Sequence, residues 1–203
     1  MLTLFHAPWS RSSRLVWLLE EIGAPYEIVY CDIARGDGTG ARDSRNPHPD
    51  GKVPALLHDD ALVTESAAVA LYLTDAFPES GLGAPVGSPE RGAFLSWIAW
   101  VAGELEPALW SKISGAAEGD AHAMARFDAA VARLLGALER GPYLMGQRFT
   151  ALDVMAGSSI AWARDHVPAS AALDAWIERI TNRPANAAST VKDSPSPELS
   201  QVA

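Results

Sequence analysis

The sequence predicts an α/β domain followed by an all-α domain, and three observations lead there. Strand-like and helix-like runs alternate through the first third of the chain. A stretch rich in Gly and Pro, residues 79–88, then interrupts it. Beyond that stretch the apolar residues recur at helical spacing.

Leu2-Thr3-Leu4-Phe5 reads as a short buried strand that ends in a loop at Pro8. Leu15, Leu18, Leu19 and Ile22 then recur as one helical face, so a helix is expected over Arg14–Ile22. Gly23 suits the left-handed position after a helix end, and Pro25 prevents its resumption. Tyr26–Tyr30 is rich in β-formers and predicts a second strand. A long irregular stretch from Arg35 to Gly51 follows. Val53–Leu57 and Leu62-Val63 flank a short turn as in an antiparallel hairpin, and Glu65–Phe77 predicts a helix stopped by Pro78. Two strands joined by a helix, then a hairpin and a helix, is a thioredoxin-like order with the first two strands parallel. The expected domain spans residues 1–78.

After the linker at 79–88, Ser88-Pro89-Glu90 combines a capping hydroxyl, a proline at the first helical position and an acid in the first turn. The helical domain is expected over residues 89–184. Phe94, Trp97, Trp100 and Val101 mark its first helix, which Gly103 and Pro107 should bend or interrupt. Phe127, Val131, Leu134 and Leu138 mark another. Thr150-Ala151-Leu152-Asp153 reads as a capping box with Phe149 and Val154 as its hydrophobic staple, which is folding information and not a site. Leu173, Trp176, Ile177 and Ile180 predict a last helix ended by Pro184. Residues 185–203 read as a mobile tail.

Composition narrows the function. The net charge is −9, and 16 Lys and Arg are scattered among 25 Asp and Glu. Nucleic acid and anionic membrane surfaces, which require clustered cations, are not expected partners. No apolar run approaches a bilayer span, and the first residues lack the pattern of a signal peptide, so a cytoplasmic protein is expected. The single cysteine, Cys31, allows no internal disulfide and no Cys-x-x-Cys redox motif. Because His6, His58, His122 and His166 have no ligand spacing, no metal site is expected.

Two short motifs remain. Lys52-Val53-Pro54-Ala55-Leu56 opens a strand after Asn46-Pro47 and Gly51. Glu65-Ser66 opens a helix, whose free N–H groups attract a carboxylate. With Thr64–Ala68 and Phe149–Asp153, these stretches resemble the glutathione transferase family, and the resemblance runs from Leu2 to Pro184. It implies a cis peptide bond at Pro54, with the backbone of Val53 pairing with the cysteinyl unit of glutathione. It further implies that Glu65 faces the γ-glutamyl amino group and that Ser66 holds the α-carboxylate. Lys52 would reach the glycyl carboxylate, with His48 or Arg42 assisting.

The family's reaction needs the glutathione thiolate, because a free thiol near pKa ~8.5 is mostly protonated at neutral pH. A hydroxyl at the amino end of the first helix would stabilise that anion. Serine-type members place it four residues before an Arg. Ser10, four before Arg14, fits best; Ser12 and Ser13 are rivals, and Arg11 would add positive potential. The alternative is that these serines cap the helix. The tyrosine-type position holds Phe5 and His6, and no cysteine lies near the helix start. Trp9 and Trp100 are the candidates for an apolar electrophile pocket, while Trp97 and Trp162 read as core or interface.

The expectation is therefore a cytoplasmic glutathione transferase, conjugating a small hydrophobic electrophile in detoxification, with glutathione as cosubstrate and no other cofactor. The resemblance implies a homodimer with the helices beginning at Glu65 and Pro89 in its interface. Other readings share the scaffold: a glutathione-dependent isomerase, peroxidase or dehalogenase, or a non-catalytic binding or regulatory protein.

Overall fold

The computed structural model describes residues 1–194. They form two compact units: Met1–Ser80 together with the segment from Arg183 onward, and Gly81–Asn182.

The first unit runs β1 (Leu2–His6), α1 (Ser13–Ile22), β2 (Tyr26–Tyr30), β3 (Ala55–His58), β4 (Ala61–Thr64) and α2 (Ser66–Ala76). Its sheet has the order β2-β1-β3-β4, with β1 parallel to β2 and antiparallel to β3. This is a thioredoxin-like arrangement. Leu4 and Leu56 of the sheet and Leu15, Leu18, Leu19 and Leu73 of the helices are fully buried. Each such leucine contributes roughly 2 kcal/mol by leaving water. Gly23 adopts φ 74°, and its N–H closes α1 on the carbonyl of Leu19, as its place after the apolar run predicts.

Register decides what this unit presents at one end. Phe5 pairs with Ala55, and Ala55 pairs with Thr64. The exit of β1, the entry of β3 and the exit of β4 therefore lie side by side. The loop at residues 7–12, the Val53-Pro54 bend and the Glu65-Ser66 helix start share one edge of the sheet.

The end of the unit corrects the sequence reading. Pro184 does not terminate a helix; it opens α8 (Pro184–Asp193), where its missing N–H costs nothing. Residues 185–193 are thus not a loose tail. α8 lies along α1 and is tied there by ion pairs from Arg183 to Glu21 and from Lys192 to Glu20, at 2.7 and 2.5 Å. The Tyr30 hydroxyl donates to the carbonyl of Lys192 at 2.7 Å. The helix is poor in apolar residues, so composition alone concealed it. The remainder of the predicted tail, residues 195–203, lies outside the described residues.

The second unit is helical: α3 (Arg91–Trp100), α4 (Glu106–Ile113), α5 (Ala121–Leu138), α6 (Ala151–Trp162) and α7 (Ala171–Thr181). The turn Val101–Leu105 between α3 and α4 is wider than an α-turn, with π-helical geometry. Pro107, which has no N–H to offer, stands two residues beyond it in the first turn of α4, so the predicted interruption is absorbed as a bulge. Trp176, Phe94, Ile98, Leu109 and Leu134 form the core.

The capping box at Thr150 and Asp153 forms and extends further than local sequence implies. The buried Asp153 carboxylate accepts N–H groups from Thr150 (2.9 Å), Leu144 (3.0 Å) and the indole of Trp176 (3.1 Å). Of the two readings of Trp162, core or interface, the structure removes the first. Trp162 is exposed, and it stacks on exposed Trp110 at a centroid distance of 6.5 Å. Among the described residues no helix is long and apolar enough to cross a membrane, and no cluster of His, Cys, Asp and Glu is arranged to hold a metal ion.

Candidate functional site

The Val53–Pro54 bond is cis. Both residues are buried, and among the described residues no hydrogen bond takes up the N–H or C=O of Val53. The preceding loop is braced from within. The Asn46 amide donates to the carbonyl of Lys52 at 2.8 Å, and its oxygen accepts the N–H of His48 at 3.0 Å. His48 itself is 3% exposed, and its Nδ1 accepts the N–H of Asp50 at 3.0 Å. The structure therefore places His48 inside the loop and not on its surface. Arg42 donates to the carbonyl of Pro49 at 3.0 Å, and its side chain lies against Gly51. Gly51 has φ 65°, and a Cβ there would stand 2.8 Å from Arg42 Cγ, so only glycine fits. The Lys52 ammonium is exposed, 3.8 Å from Asp50.

On the neighbouring strand end, Glu65 is exposed and holds φ 70°, ψ 124°, a conformation that side chains rarely adopt. It makes no cap hydrogen bond. Ser66 follows as the first residue of α2, where the N–H groups of the opening turn have no helical acceptor. A carboxylate binding there would meet those donors and the positive end of the helix dipole.

The three serines at the start of α1 differ sharply. Ser12 is wholly buried. Its Oγ lies 2.7 Å from Nδ1 of His6 and accepts the N–H of Ala7 at 3.2 Å. Ser13 donates its hydroxyl to Asp193 at 2.6 Å and accepts the N–H of Ser10 at 3.2 Å. Ser10 is half-buried. Its Oγ donates to the carbonyl of Ala7 at 2.7 Å and lies 2.8 Å from the Ser12 Oγ. The Ser12 hydroxyl turns toward β1 and makes no cap to α1.

Trp9 is 79% exposed with φ 56°, beside Ser10 in the loop. Trp100 belongs to the helical unit. Its ring stands edge-on to Trp97 at 5.1 Å, and the Arg133 guanidinium lies over both rings, 4.2 Å from Trp97 and 4.4 Å from Trp100. Burial holds the Arg133 pKa below the usual arginine value.

Two groups at this edge were not singled out from the sequence. His6, at the end of β1, is fully buried, and Oδ1 of Asp193 lies 3.1 Å from its Nε2. The two atoms are in close contact, although Nε2 makes no directed hydrogen bond. Asp193 also accepts the N–H of Trp9 at 3.2 Å. Burial pushes the Asp193 carboxyl upward, but the His6 ring, the Ser13 hydroxyl and the Trp9 N–H outweigh it, and the net shift is downward. No local signal marks Asp193, which is 180 residues from Ser13 in the chain. Ser12, His6 and Asp193 have the order of a hydrolytic triad, but a fully enclosed Ser12 cannot attack a substrate.

Cys31 is 7% exposed, and its thiol pKa is pushed up to about 11, by burial first and then by the charge of Asp43, with Arg45 opposing. It has the character of a small core residue.

Residues 1–75 match the family described as glutathione S-transferase, N-terminal domain. The chain is 30% identical over 200 residues to a probable glutathione S-transferase of Oryza sativa subsp. japonica, covering 88% of this chain and 82% of that protein. It is 28% identical over 209 residues to the disulfide-bond oxidoreductase YfcG of Escherichia coli, covering 95% of each. Among solved structures, a sphingomonad glutathione S-transferase complexed with glutathione has a TM-score of 0.78 at 28% identity, covering 94% of this chain and 98% of that one. The chain belongs to the glutathione transferase family.

Proposed function

We propose that the protein is a glutathione transferase in which Ser10 activates the glutathione thiol and the bound thiolate attacks a small hydrophobic electrophile. The observation that carries this reading is the juxtaposition of three features at one sheet edge: the cis Val53-Pro54 bend with its unoccupied backbone groups, the start of α2 at Glu65-Ser66, and the Ser10 turn.

In this reading the Val53 N–H and C=O pair with the cysteinyl unit. Glu65 meets the γ-glutamyl ammonium, Ser66 takes the α-carboxylate, and Lys52 the glycyl carboxylate. His48 acts indirectly, by shaping the loop that presents Lys52 and Val53. Ser10, rather than enclosed Ser12 or Asp193-bound Ser13, turns its O–H from the Ala7 carbonyl to the sulfur. Donation to the anion lowers the thiol pKa, and the start of α1 adds its dipole. The thiolate then forms a carbon–sulfur bond as the electrophile's leaving group departs with its electron pair. Trp9, exposed beside Ser10, is the proposed apolar contact for the electrophile, with Trp100 as the candidate from the helical unit. We place this activity in the cytoplasm, in detoxification, and in a homodimer.

Titration calorimetry with glutathione, followed by conjugation of a chlorodinitrobenzene, tests the reading. Micromolar to millimolar affinity with turnover is the expected result. No measurable affinity overturns it, and affinity without turnover on any electrophile favours a binding protein. The likeness to a disulfide-bond oxidoreductase supports a second reading, glutathione-dependent disulfide reduction. Two glutathione thiols would supply the electrons, since Cys31 is enclosed. Reduction of hydroxyethyl disulfide by glutathione measures that activity directly.

A further inference from the structure

We propose that Asp193, the last residue of α8, is a positioning residue for the Ser10 hydroxyl. The inference rests on the reading that Ser10 faces the glutathione thiol.

A single carboxylate oxygen, Oδ1, gathers the whole turn. It accepts the Ser13 hydroxyl at 2.6 Å and the Trp9 N–H at 3.2 Å, and it stands 3.1 Å from Nε2 of His6. Each contact leads to Ser10 by a short route. The Trp9 N–H belongs to the residue before it. The Ser13 Oγ, oriented by giving its hydrogen to Asp193, accepts the N–H of Ser10 at 3.2 Å. Nδ1 of His6 lies 2.7 Å from the Ser12 Oγ, which lies 2.8 Å from the Ser10 Oγ. Backbone and side chain of Ser10 are thus both held through groups that converge on one oxygen.

The turn needs such an anchor. Trp9 sits at φ 56° and is exposed, so neither backbone preference nor burial of its ring fixes its conformation. Nε2 of His6 is buried without a directed hydrogen bond, and in this turn the carboxylate of Asp193 is what offsets its isolation. α8 can supply the anchor because it is itself fastened to the first unit through Arg183–Glu21, Lys192–Glu20 and the Tyr30 hydroxyl. A helix outside the thioredoxin-like order has become part of the site's scaffolding. A residue misplaced by a fraction of an ångström loses rate without losing ligand, because the thiol alone depends on it.

The test uses the full chain, with glutathione and a chlorodinitrobenzene. Asp193→Ala should lower kcat on the order of tenfold to a hundredfold. The KM for glutathione should stay within about twofold, since Lys52, Val53, Glu65 and Ser66 do not touch Asp193. The thiol pKa of bound glutathione, read from thiolate absorbance in the ultraviolet, should rise. Mere loss of a negative charge would move it the other way, so the sign separates positioning from electrostatics. Asp193→Asn keeps a carbonyl oxygen in place of Oδ1 and should recover most of kcat. Ser13→Ala, which breaks one of the three routes, should give a smaller fall of the same kind. An unchanged kcat and thiol pKa in Asp193→Ala overturns the proposal, as does an Asp193→Asn variant no better than Asp193→Ala. Should Asp193→Ala not fold, Asp193→Asn and Ser13→Ala decide the matter by the same readouts. Absence of glutathione binding by the unaltered protein would instead sink the glutathione reading and this inference with it.

Discussion

The Oγ of Ser12 lies 2.7 Å from Nδ1 of His6, and both side chains are fully shielded from solvent. The half-buried Ser10 Oγ lies 2.8 Å from that pair. The serine nearest the sheet is enclosed in the turn, and the one outside it is the hydroxyl that the proposed function assigns to the thiol. Ser12→Ala should cost about 1–3 kcal/mol by leaving His6 Nδ1 unpaired, and should leave the thiol pKa of bound glutathione near its original value. Ser10→Ala should preserve stability, raise that thiol pKa, and slow turnover on the order of a hundredfold. Urea denaturation and thiolate absorbance measure the two effects separately, and a reversal of the two phenotypes would transfer the catalytic role to Ser12.

Glu65 combines an exposed carboxylate with a backbone conformation suited to glycine. Glu65→Ala and Glu65→Gly should both weaken glutathione binding by removing the partner of its ammonium group. They should differ in stability: the glycine variant, free of a strained Cβ, should exceed the alanine variant by about 1 kcal/mol. Equal affinity for glutathione in all three proteins would limit Glu65 to its structural place before α2.

Asp153 ties the start of α6 to the loop at Leu144 and to Trp176 of α7. Asp153→Ala should therefore lower the stability of the helical unit by roughly 3 kcal/mol, since three N–H groups and the Thr150 hydroxyl lose their acceptor in a buried place. Urea denaturation followed by tryptophan fluorescence would register the loss. A change under 1 kcal/mol would mean that water replaces the carboxylate.

Cys31 should be inert in the folded protein. With the thiol pKa pushed from 9.0 up to about 11, its thiolate fraction near neutral pH falls about a hundredfold relative to the unfolded chain. Native alkylation by iodoacetamide should be slower by at least that factor, because burial restricts access as well. Reaction at the unfolded rate would show that the sheet edge beside Cys31 opens readily.

Much of the first unit was legible because its signals are local. Gly23 and Pro25 end α1, the β-rich run at Tyr26–Tyr30 forms β2, and the hairpin brings Pro54 beside Glu65. The serines were legible as a cluster but not as individuals, since Ser10, Ser12 and Ser13 occupy one turn and differ only in what each hydroxyl meets. Helical spacing left Trp162 open between core and interface, and only the structure shows its ring turned outward to Trp110. His48 looked like a ligand in an irregular loop, but its burial follows from the turn at Asn46 and Asp50.

The sequence by itself determined the succession of elements from β1 to α7, the bend at Val53-Pro54, the helix start at Glu65-Ser66 and the family to which these belong. Such features depend on neighbours within a few residues, through proline geometry, capping and apolar periodicity. Tertiary structure alone decided that Pro184 opens a helix, that this helix lies along α1, and that Asp193 reaches the turn of Ser10. Those outcomes depend on ion pairs and hydrogen bonds between residues more than 160 positions apart, which no local pattern encodes.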